Sequence, residues 1–422
     1  MTDYSAILRT RFTTTARALR IAADPNAGIV TGSPITSVGL QSGGVLLELF
    51  QQGDDVWIPD WSSLREFAVS PGTATVFCNV EERLCAEPPF STEEREVFRA
   101  RDPRSILQRT LSRAKAEHGV EFLVGFEIEF LLVASPSATE PLPSPKQLWG
   151  SASTRKEHWT TVVEASVLAL EAAGVGVWTF NPEDTNSKYE ISLSPLPPLE
   201  AVDALQYAHE VIKTLAQKAG VHATMHAKAF ETGPTVGKHI HLSLSKPKYG
   251  TSFLAGVLKH YPALCALMMA NLDSYGVREG QFGGGPVGWG WKNKLMCVKR
   301  IEEAYYELRP PDSFANMYLV LAGIVGVGLR GVEDGEELES ASFDEIVMAE
   351  PPTEEQRKKY GIKRDVPKGL KEALAEFNGD GVLKDVLGEE CFERYLYNKE
   401  KDLEASKKMS SVERRKVLME AH

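Results

Sequence analysis

Residues 121–133, with the sequence EFLVGFEIEFLLV, decide the fold. Phe126, Ile128 and Phe130 alternate with Glu127 and Glu129, which is the period of a β-strand with one apolar face. The two glutamates therefore point together to the opposite face, about 7 Å apart along the strand. An isolated Glu-x-Glu pair is more often a solvated outer face than a site, so its meaning depends on the neighbouring strands.

Two further predicted strands carry polar side chains with the same spacing. They are His239 and His241 in KHIHLSLS (238–245), and Glu307 and Arg309 in YYELRPPD (305–312). Between them, NPEDTNSKYEISL (181–193) adds Glu183 on a loop and Glu190 at the start of a strand. The sequence thus predicts one surface with five carboxylates and one or two imidazoles.

Such a surface requires cations, because like charges in a cleft raise each other's pKa. Hard oxygen ligands with a single histidine favour Mg²⁺ or Mn²⁺ over Zn²⁺. Two such metals between carboxylate strands can polarise phosphoryl oxygens, with arginines or lysines neutralising the developing charge. The sequence contains no G-x-x-x-x-G-K-[ST] loop. A nucleotide would therefore be held through metals and basic side chains.

The rest of the chain predicts an α+β protein. Residues 1–100 show short apolar runs broken by Gly, Pro and Asp, which indicates a small strand-rich domain, and residues 101–422 form the main domain. Ser91 and Asp102 are predicted helix caps, and Gly119, Gly174 and Gly220 are predicted helix ends. The predicted helices are 154–173, 199–219 after Pro197-Pro198, 252–275, and an apolar helix after Asp312. The further predicted strands are 188–194, 222–230 and 304–309, and a charged helical tail follows Gly335.

Composition excludes several classes of protein. The 422 residues carry a net charge of −11 without a basic stripe, which argues against nucleic acid as a partner. Five widely spaced cysteines without a C-x-x-C favour a reducing compartment over a disulfide framework. The N-terminus lacks the apolar core of a signal peptide and only faintly resembles a transit peptide, and residues 317–329 are too short to span a bilayer. We therefore expect a cytoplasmic protein that does not bind membranes.

The ordered motifs resemble those of the glutamine synthetase family. They are GFEIEF, then Glu183 and Glu190 followed by PLPPLEAVDAL, then GKHIHLSL, ELRPPDSFANMYL and PKGLKEAL. The sequence of these motifs is most similar to the fungal and bacterial branch of gamma-glutamyl-amine ligase type. WIPDWSSLREFAVSPGTATVFCNV is more loosely similar to the family's small β-grasp domain. The resemblance implies a β-grasp-like domain and a catalytic domain with a curved antiparallel sheet flanked by helices.

The resemblance also implies roles for individual residues. Glu129, Glu183 and Glu190 match one metal site, and Glu127, His239 and Glu307 match the other. His241 matches a histidine beside the nucleotide, and Arg309 an arginine near the transferred phosphate. The family phosphorylates a carboxylate with ATP, and ammonia or an amine then attacks the acyl phosphate to form an amide in nitrogen metabolism. It forms homo-oligomeric rings whose active sites lie between subunits.

Several positions depart from the family pattern. Ser187 and Lys188 replace Gly-Gln beside the metal site, where Lys188 either changes the local charge or points to solvent. Pro234 and Thr235 replace the Asn-Gly that holds the amino-acid substrate, and Gly283, Gly284 or Gly285 stands where a flap glutamate is common. Asn293 and Lys294 replace Asn-Arg, and the next arginine position falls near Lys299 or Arg300.

These departures define the remaining predicted site residues. Lys294, Lys299 and Arg309 are the predicted catalytic cations, and Lys299, Arg309 and His241 are the residues predicted to bind the nucleotide. Lys188, Thr235 and Arg278 are the predicted substrate contacts. The tryptophans at 57, 61, 289 and 291 are more typical of packing than of ligand stacking, and His209 and His222 of structural residues.

Three hypotheses follow. The first is an ATP- and metal-dependent carboxylate–amine ligase with a non-standard acid or amine. The second is a metal-dependent enzyme of the same fold that has lost ATP-driven ligation, as the altered basic residues suggest. The third is a non-catalytic ring, which would leave six ligand-type residues without a role.

Overall fold

The structure is a computed structural model, in which the described residues are 1–31, 38–40, 44–46, 48, 53–83, 90–143, 159–183, 187–231, 233, 235–278, 285–343 and 352–422. Pro234, Gly283, Gly284 and Cys85 lie outside these ranges. The other four cysteines are buried free thiols. Within the described ranges, no helix is both long and apolar enough to cross a membrane.

The N-terminal region is built from short strands, as predicted. It contains α1 (Thr15–Ala22), β1 (Ile29–Thr31), β2 (Val38–Gly39), β3 (Gly44–Val45), β4 (Asp55–Pro59), β5 (Arg65–Glu66), β6 (Ala74–Thr75) and β7 (Cys78–Glu82). Strands β1, β4 and β7 form an antiparallel sheet with β4 in the centre. Trp57 packs there in a small core with Met1, Cys78 and Val80.

Two capped helices, α2 (Thr92–Phe98) and α3 (Pro103–Arg113), lead into the main sheet. Ser91 and Asp102 accept backbone N–H groups at their starts, which confirms both predicted caps. A π-helical turn, Ala114–His118, extends α3 and ends at Gly119, whose φ of 60° is left-handed. Gly174 and Gly220 are also left-handed, at φ 76° and 81°, so both predicted helix ends are confirmed.

The main sheet has eight strands. They are β8 (Phe122–Val133), β9 (Val177–Pro182), β10 (Lys188–Leu193), β11 (His222–Thr224), β12 (Lys238–Leu244), β13 (Trp289–Trp291), β14 (Val298–Glu302) and β15 (Tyr305–Leu308). Their order is β13-β14-β15-β12-β8-β10-β9, and β11 pairs with the end of β8. All neighbours are antiparallel except β13 and β14, which pair in parallel. The long strand β8 therefore lies in the interior of the sheet, with β12 and β10 on either side.

Helices cover the apolar face of the sheet, which confirms the predicted α+β class. They are α4 (Thr160–Ala172), α5 (Pro198–Lys218), α6 (Gly250–Lys259), α7 (Tyr261–Met268), α8 (Met317–Glu333), α9 (Glu354–Tyr360), α10 (Leu370–Asn378), α11 (Gly381–Leu387), α12 (Glu389–Lys408) and α13 (Ser411–Ala421). One core joins β8, β10 and β12 to α5 and α8. Asn316 caps α8, the predicted apolar helix, by accepting the N–H groups of Tyr318 and Leu319.

One predicted helix and one predicted strand have the wrong boundaries. The predicted helix 252–275 is two helices, α6 and α7, followed by a 3₁₀ turn at Leu272–Arg278, and Pro262 in the first turn of α7 cannot continue α6. The predicted strand 222–230 ends at Thr224, whose hydroxyl accepts the N–H of His226 and starts a turn. Residues 154–158 of the predicted helix 154–173 lie outside the described ranges.

Candidate active site

The strand register gathers the predicted polar residues on one face of the sheet, which we call the cleft face. Three pairs lie directly opposite each other: Glu127 with His239, Glu129 with Glu190, and His241 with Glu307. Directly opposed residues share a face, so four adjacent strands present these side chains together. The Glu127/Glu129 pair is therefore part of a polar cluster and not an isolated solvated edge.

Glu127 lies between the two histidines. Its Oε2 is 2.7 Å from Nδ1 of His239, and its Oε1 is 2.9 Å from Nε2 of His241. Nδ1 of His241 lies 2.7 Å from the Tyr305 hydroxyl. Burial alone would raise the pKa of Glu127, but contacts with His239 and His241 outweigh it and hold that pKa well below its usual range.

Glu307 is the most buried carboxylate of the cluster, at 1% exposure. It accepts hydrogen bonds from Arg309 and from Lys299, the residue opposite it on β14. Burial opposes ionisation, but these two cations lower the pKa of Glu307. Ligand atoms of Glu127, His241 and Glu307 all lie within 4.8 Å of one another, and His239 Nδ1 is 4.0 Å from Glu307. This group can hold a metal ion.

Lys188 lies inside the cluster. Its ammonium is 3.0 Å from Glu129 Oε2, and the residue is 7% exposed. The alternative interpretation, that it points to solvent, is therefore wrong. The Gly237 N–H donates to the same oxygen at 2.6 Å. Burial would raise the pKa of Glu129, but Lys188 and the Gly237 N–H lower it.

Glu183 and Glu190 complete the carboxylate set. Glu183 follows β9 and accepts a hydrogen bond from the Asn181 amide at 2.9 Å, and Glu190 accepts one from the Ser192 hydroxyl at 3.2 Å. Burial and the nearby carboxylates, chiefly Glu127 and Glu183, raise the pKa of Glu190 to about 8. The donor set of oxygens and imidazoles, with an excess of negative charge around Glu190, fits hard divalent cations.

The other predicted residues lie on loops and turns. Thr235 is two residues before Gly237, Arg278 is the last residue of the 3₁₀ turn, and Lys294 lies in an exposed turn between β13 and β14. Ser187 adopts a left-handed φ of 55°, and its hydroxyl donates to the Leu142 carbonyl. Within the described ranges, Lys188, Lys299 and Arg309 therefore contact the carboxylates of the cluster.

Sequence reasoning missed three residues of the cleft face: Asn181, Ser192 and Tyr305. Each lies two residues from a predicted ligand, at Glu183, Glu190 and Glu307 respectively. The same period of two that selected the glutamates could have selected these partners.

The cleft face continues into an open cavity of about 580 Å³. Ser243 and Leu123 line it. Ser243 lies two residues after His241 on β12, and Leu123 lies two residues before Gly125 on β8. Pro197 and Pro198 form the opposite side. A mostly apolar cavity beside a polar cluster is typical of a small-molecule site.

The remaining aromatic residues are mainly structural. Trp57 and Trp289 are 3% and 6% exposed, and the Trp289 indole donates to the Ser340 carbonyl. Trp291 is 47% exposed and lies 4.8 Å from the Arg300 guanidinium. His222 contacts the Met419 carbonyl at 2.7 Å, as expected of a structural residue.

Comparison with known proteins gives a consistent match. The family model for the catalytic domain of glutamine synthetase matches residues 100–417. The chain is 28% identical over 392 residues to protein fluG of Emericella nidulans, covering 90% of this chain and 45% of that protein. It is 27% identical to the gamma-glutamylpolyamine synthetase GlnA3 of Streptomyces coelicolor, covering 68% of this chain and 66% of that protein. The chain thus spans about half of the first relative and two thirds of the second.

Two further matches extend along most of the chain. The glutamine synthetase of Thermotoga maritima is 29% identical over 366 residues, covering 80% of each chain. Among solved structures, GmaS in complex with ADP superposes with a TM-score of 0.79 at 21% identity, covering 98% of this chain and 94% of that one. A glutamine synthase homologue superposes with a TM-score of 0.80 at 23% identity, covering 100% and 97%. These two structures show the same fold.

Proposed function

Because the chain belongs to the glutamine synthetase family, we propose that it is an ATP- and divalent-metal-dependent ligase that joins a carboxylic acid to ammonia or an amine. The observation that carries this proposal is the cluster of carboxylates and imidazoles on four adjacent strands of the cleft face. The gamma-glutamylpolyamine synthetase relative is, by its name, a ligase of this kind.

Two metal sites follow from the ligand sets. Glu129, Glu183 and Glu190 would hold one divalent cation, and Glu127, His239 and Glu307 the other. When bound, Mg²⁺ or Mn²⁺ supplies polarisation of phosphoryl oxygens. His241 contacts Glu127, as His239 does, and lies opposite Glu307 on the neighbouring strand. It would therefore stabilise the metal site of Glu127, His239 and Glu307 from the side of the nucleotide.

The basic residues would neutralise the charge that develops during phosphoryl transfer. Arg309 and Lys299 both contact Glu307 and so are fixed at the edge of the metal cluster. The cavity lined by Leu123 and Ser243 would accept the base of ATP, because it continues the cleft face beyond His241. Lys294 remains the predicted third cation of this group.

The substrate would differ from glutamate and ammonia. Lys188 places an ammonium against Glu129, where the family pattern has a neutral glutamine, and so changes the charge that the acid and the amine encounter. Thr235 and Arg278 remain the predicted contacts for the acid.

Phosphate release from ATP tests this proposal. Glutamate with ammonium is compared with a pool of carboxylic acids and amines, in Mg²⁺ and in Mn²⁺, with Glu183→Gln as the blank. We expect release with the pool and little with glutamate and ammonium alone. Release with glutamate and ammonium alone would identify an ordinary glutamine-forming enzyme. No phosphate release in any mixture would contradict the ligase. Metal binding without nucleotide binding would then favour the second hypothesis, a metal-dependent enzyme that has lost ATP-driven ligation.

A further inference from the structure

We propose that a small buried cavity on the opposite side of the sheet binds an oxyanion, either a phosphate-like ion or a small carboxylate. The cavity lies between α5, β12, the segment 6–8 and the end of α13. Its polar lining includes Lys213, Lys238, His209, His422 and Ser313. This inference does not depend on the proposed ligase activity.

The lining carries two lysines. Lys238 is 3% exposed, and the Lys213 ammonium donates to the Ala421 carbonyl at 3.3 Å. Among the described residues, no carboxylate lies within 4 Å of either ammonium. Glu210 also lines the cavity, and Asp312 acts on Lys238 from farther away. Lys238 is buried and Lys213 is half-buried, and a buried cation without a close counter-ion is costly, so an anion placed between the two ammonium groups is stabilised.

Three more polar groups of the lining lack partners. Nε2 of His209, Nε2 of His422 and the Ser313 hydroxyl are buried and have no hydrogen-bond partner among the described residues. The three residues are 9%, 5% and 5% exposed. Buried polar atoms in native proteins are nearly always hydrogen-bonded, so three such atoms around one cavity point to a common acceptor. An oxyanion can accept from all of them at once and also offset the two ammonium charges.

The ionisation of the lining agrees with this assignment. Burial lowers the pKa of Lys213, and burial together with the neighbouring lysines lowers the pKa of His209 and His422. Burial thus disfavours the charged form of each of these groups. A bound oxyanion would reverse that penalty.

The volume limits the ligand. The cavity measures about 60 Å³. One buried water needs roughly 10–15 Å³, so the cavity has room for about four to six non-hydrogen atoms the size of a water oxygen. Phosphate, sulfate or acetate matches this size, whereas a nucleotide is far too large.

The position of the cavity connects it to the candidate active site. Lys238 directly precedes His239, and its side chain points to the opposite face of β12. The Lys238 N–H donates to the Pro311 carbonyl at 3.0 Å, and Ser313 follows in the loop after Arg309. An oxyanion held by Lys238 and Ser313 would therefore fix the strand and the loop that carry two predicted site residues.

Crystals of the full chain soaked in selenate, a tetrahedral oxyanion with an anomalous signal, test the site directly. We expect a selenium peak within hydrogen-bonding distance of Lys213 and Lys238. Density for water alone in the cavity would overturn the proposal for tetrahedral anions, and a parallel soak in sodium acetate, compared with an unsoaked crystal by difference density, tests the carboxylate class. Water alone in both soaks overturns the proposal as a whole.

Thermal melting in solution tests it independently. We expect inorganic phosphate or acetate to raise the melting temperature of the wild type, and Lys213→Gln to weaken that binding about tenfold. The matched control is Lys401→Gln, a half-exposed lysine on α12, which should respond like the wild type. An equal response in Lys213→Gln and the wild type would place the binding elsewhere and overturn the proposal. Without added anion, Lys213→Gln should melt no lower than the wild type, because it removes a half-buried ammonium whose charged form burial disfavours.

Discussion

Lys188 is the residue that distinguishes this cleft from the family pattern. Its ammonium lies 3.0 Å from Glu129, so it competes with any cation bound there. We expect Lys188→Gln to tighten Mn²⁺ binding about three- to tenfold, because the site becomes more negative by one charge. Substrate preference should move toward glutamate and ammonium. Titration calorimetry with Mn²⁺ measures the first effect, and Lys248→Gln, an exposed lysine on the turn before α6, is the control. Unchanged affinity in Lys188→Gln would make this lysine a bystander.

Glu183 offers the cleanest test of the metal ligands. It lies at the end of β9 and is only partly buried, so Glu183→Gln should remove one ligand charge without disturbing the core. We expect turnover to fall about 100-fold or more while the melting temperature changes little. The control is Glu404→Gln, an exposed glutamate on α12. Wild-type turnover in Glu183→Gln would remove this residue from the metal site.

At the residue scale, the cleft face was predictable where the strand period applied. Alternation placed Glu127, Glu129 and His239 on one face before any register was known, and the register then aligned them. The contact between Lys188 and Glu129 depends on which strand pairs with β8, which alternation does not reveal. The oxyanion cavity was not predictable, because His209, Lys238 and Ser313 are far apart in the sequence and meet only in the folded chain.

At the element scale, two glycines set the distance between α6 and α8. A Cβ added at Gly256 would lie 2.4 Å from the Val327 carbonyl and 2.9 Å from Gly331, so the two backbones touch there. We expect Gly256→Ala to lower the free energy of unfolding by about 1–3 kcal/mol, because α8 must move away. Gly381→Ala is the control, since a Cβ there meets nothing within 4 Å. Urea denaturation measures both, and equal stability of the two variants would contradict this packing.

The break between α6 and α7 shows the limit of prediction for elements. All eight residues of α7 are buried, so its sequence has no polar face from which a helix direction could be read. Pro262 was the one local signal, and proline is also tolerated in the first turn of a helix. Strands β8 and β12 were predicted nearly to the residue, because each has one apolar and one polar face.

At the scale of the whole molecule, we propose that residues 1–100 and 101–422 are two domains held in a fixed arrangement. Arg104 contacts Asp60 at 2.7 Å and Asp203 at 2.8 Å, and so joins the N-terminal region to α5. Glu82 at the end of β7 contacts Arg394 on α12 at 3.0 Å. These ion pairs would resist hinge motion, because separating them would leave the buried arginines Arg104 and Arg394 unpaired.

The edge strand β9 carries exposed apolar residues that could form a contact in the predicted homo-oligomeric ring. Trp178 and Phe180 are 73% and 43% exposed on the face opposite Asn181, and Leu168 on the neighbouring helix α4 is 71% exposed. Exposed apolar residues on an edge strand are normally covered, since they otherwise promote uncontrolled pairing. We propose that another copy of the chain covers them.

Substitution of Trp178 tests this assembly. We expect Trp178→Asp to reduce the mass measured by light scattering, because a buried carboxylate would oppose the apolar contact. The control is Val412→Asp, a similarly exposed apolar residue on α13 at 66%, which should keep the wild-type mass. If the active sites lie between subunits, phosphate release should fall together with the mass in Trp178→Asp. A wild-type mass in this variant would mean that β9 is not the contact, whereas a reduced mass with full activity would place each complete active site within one chain.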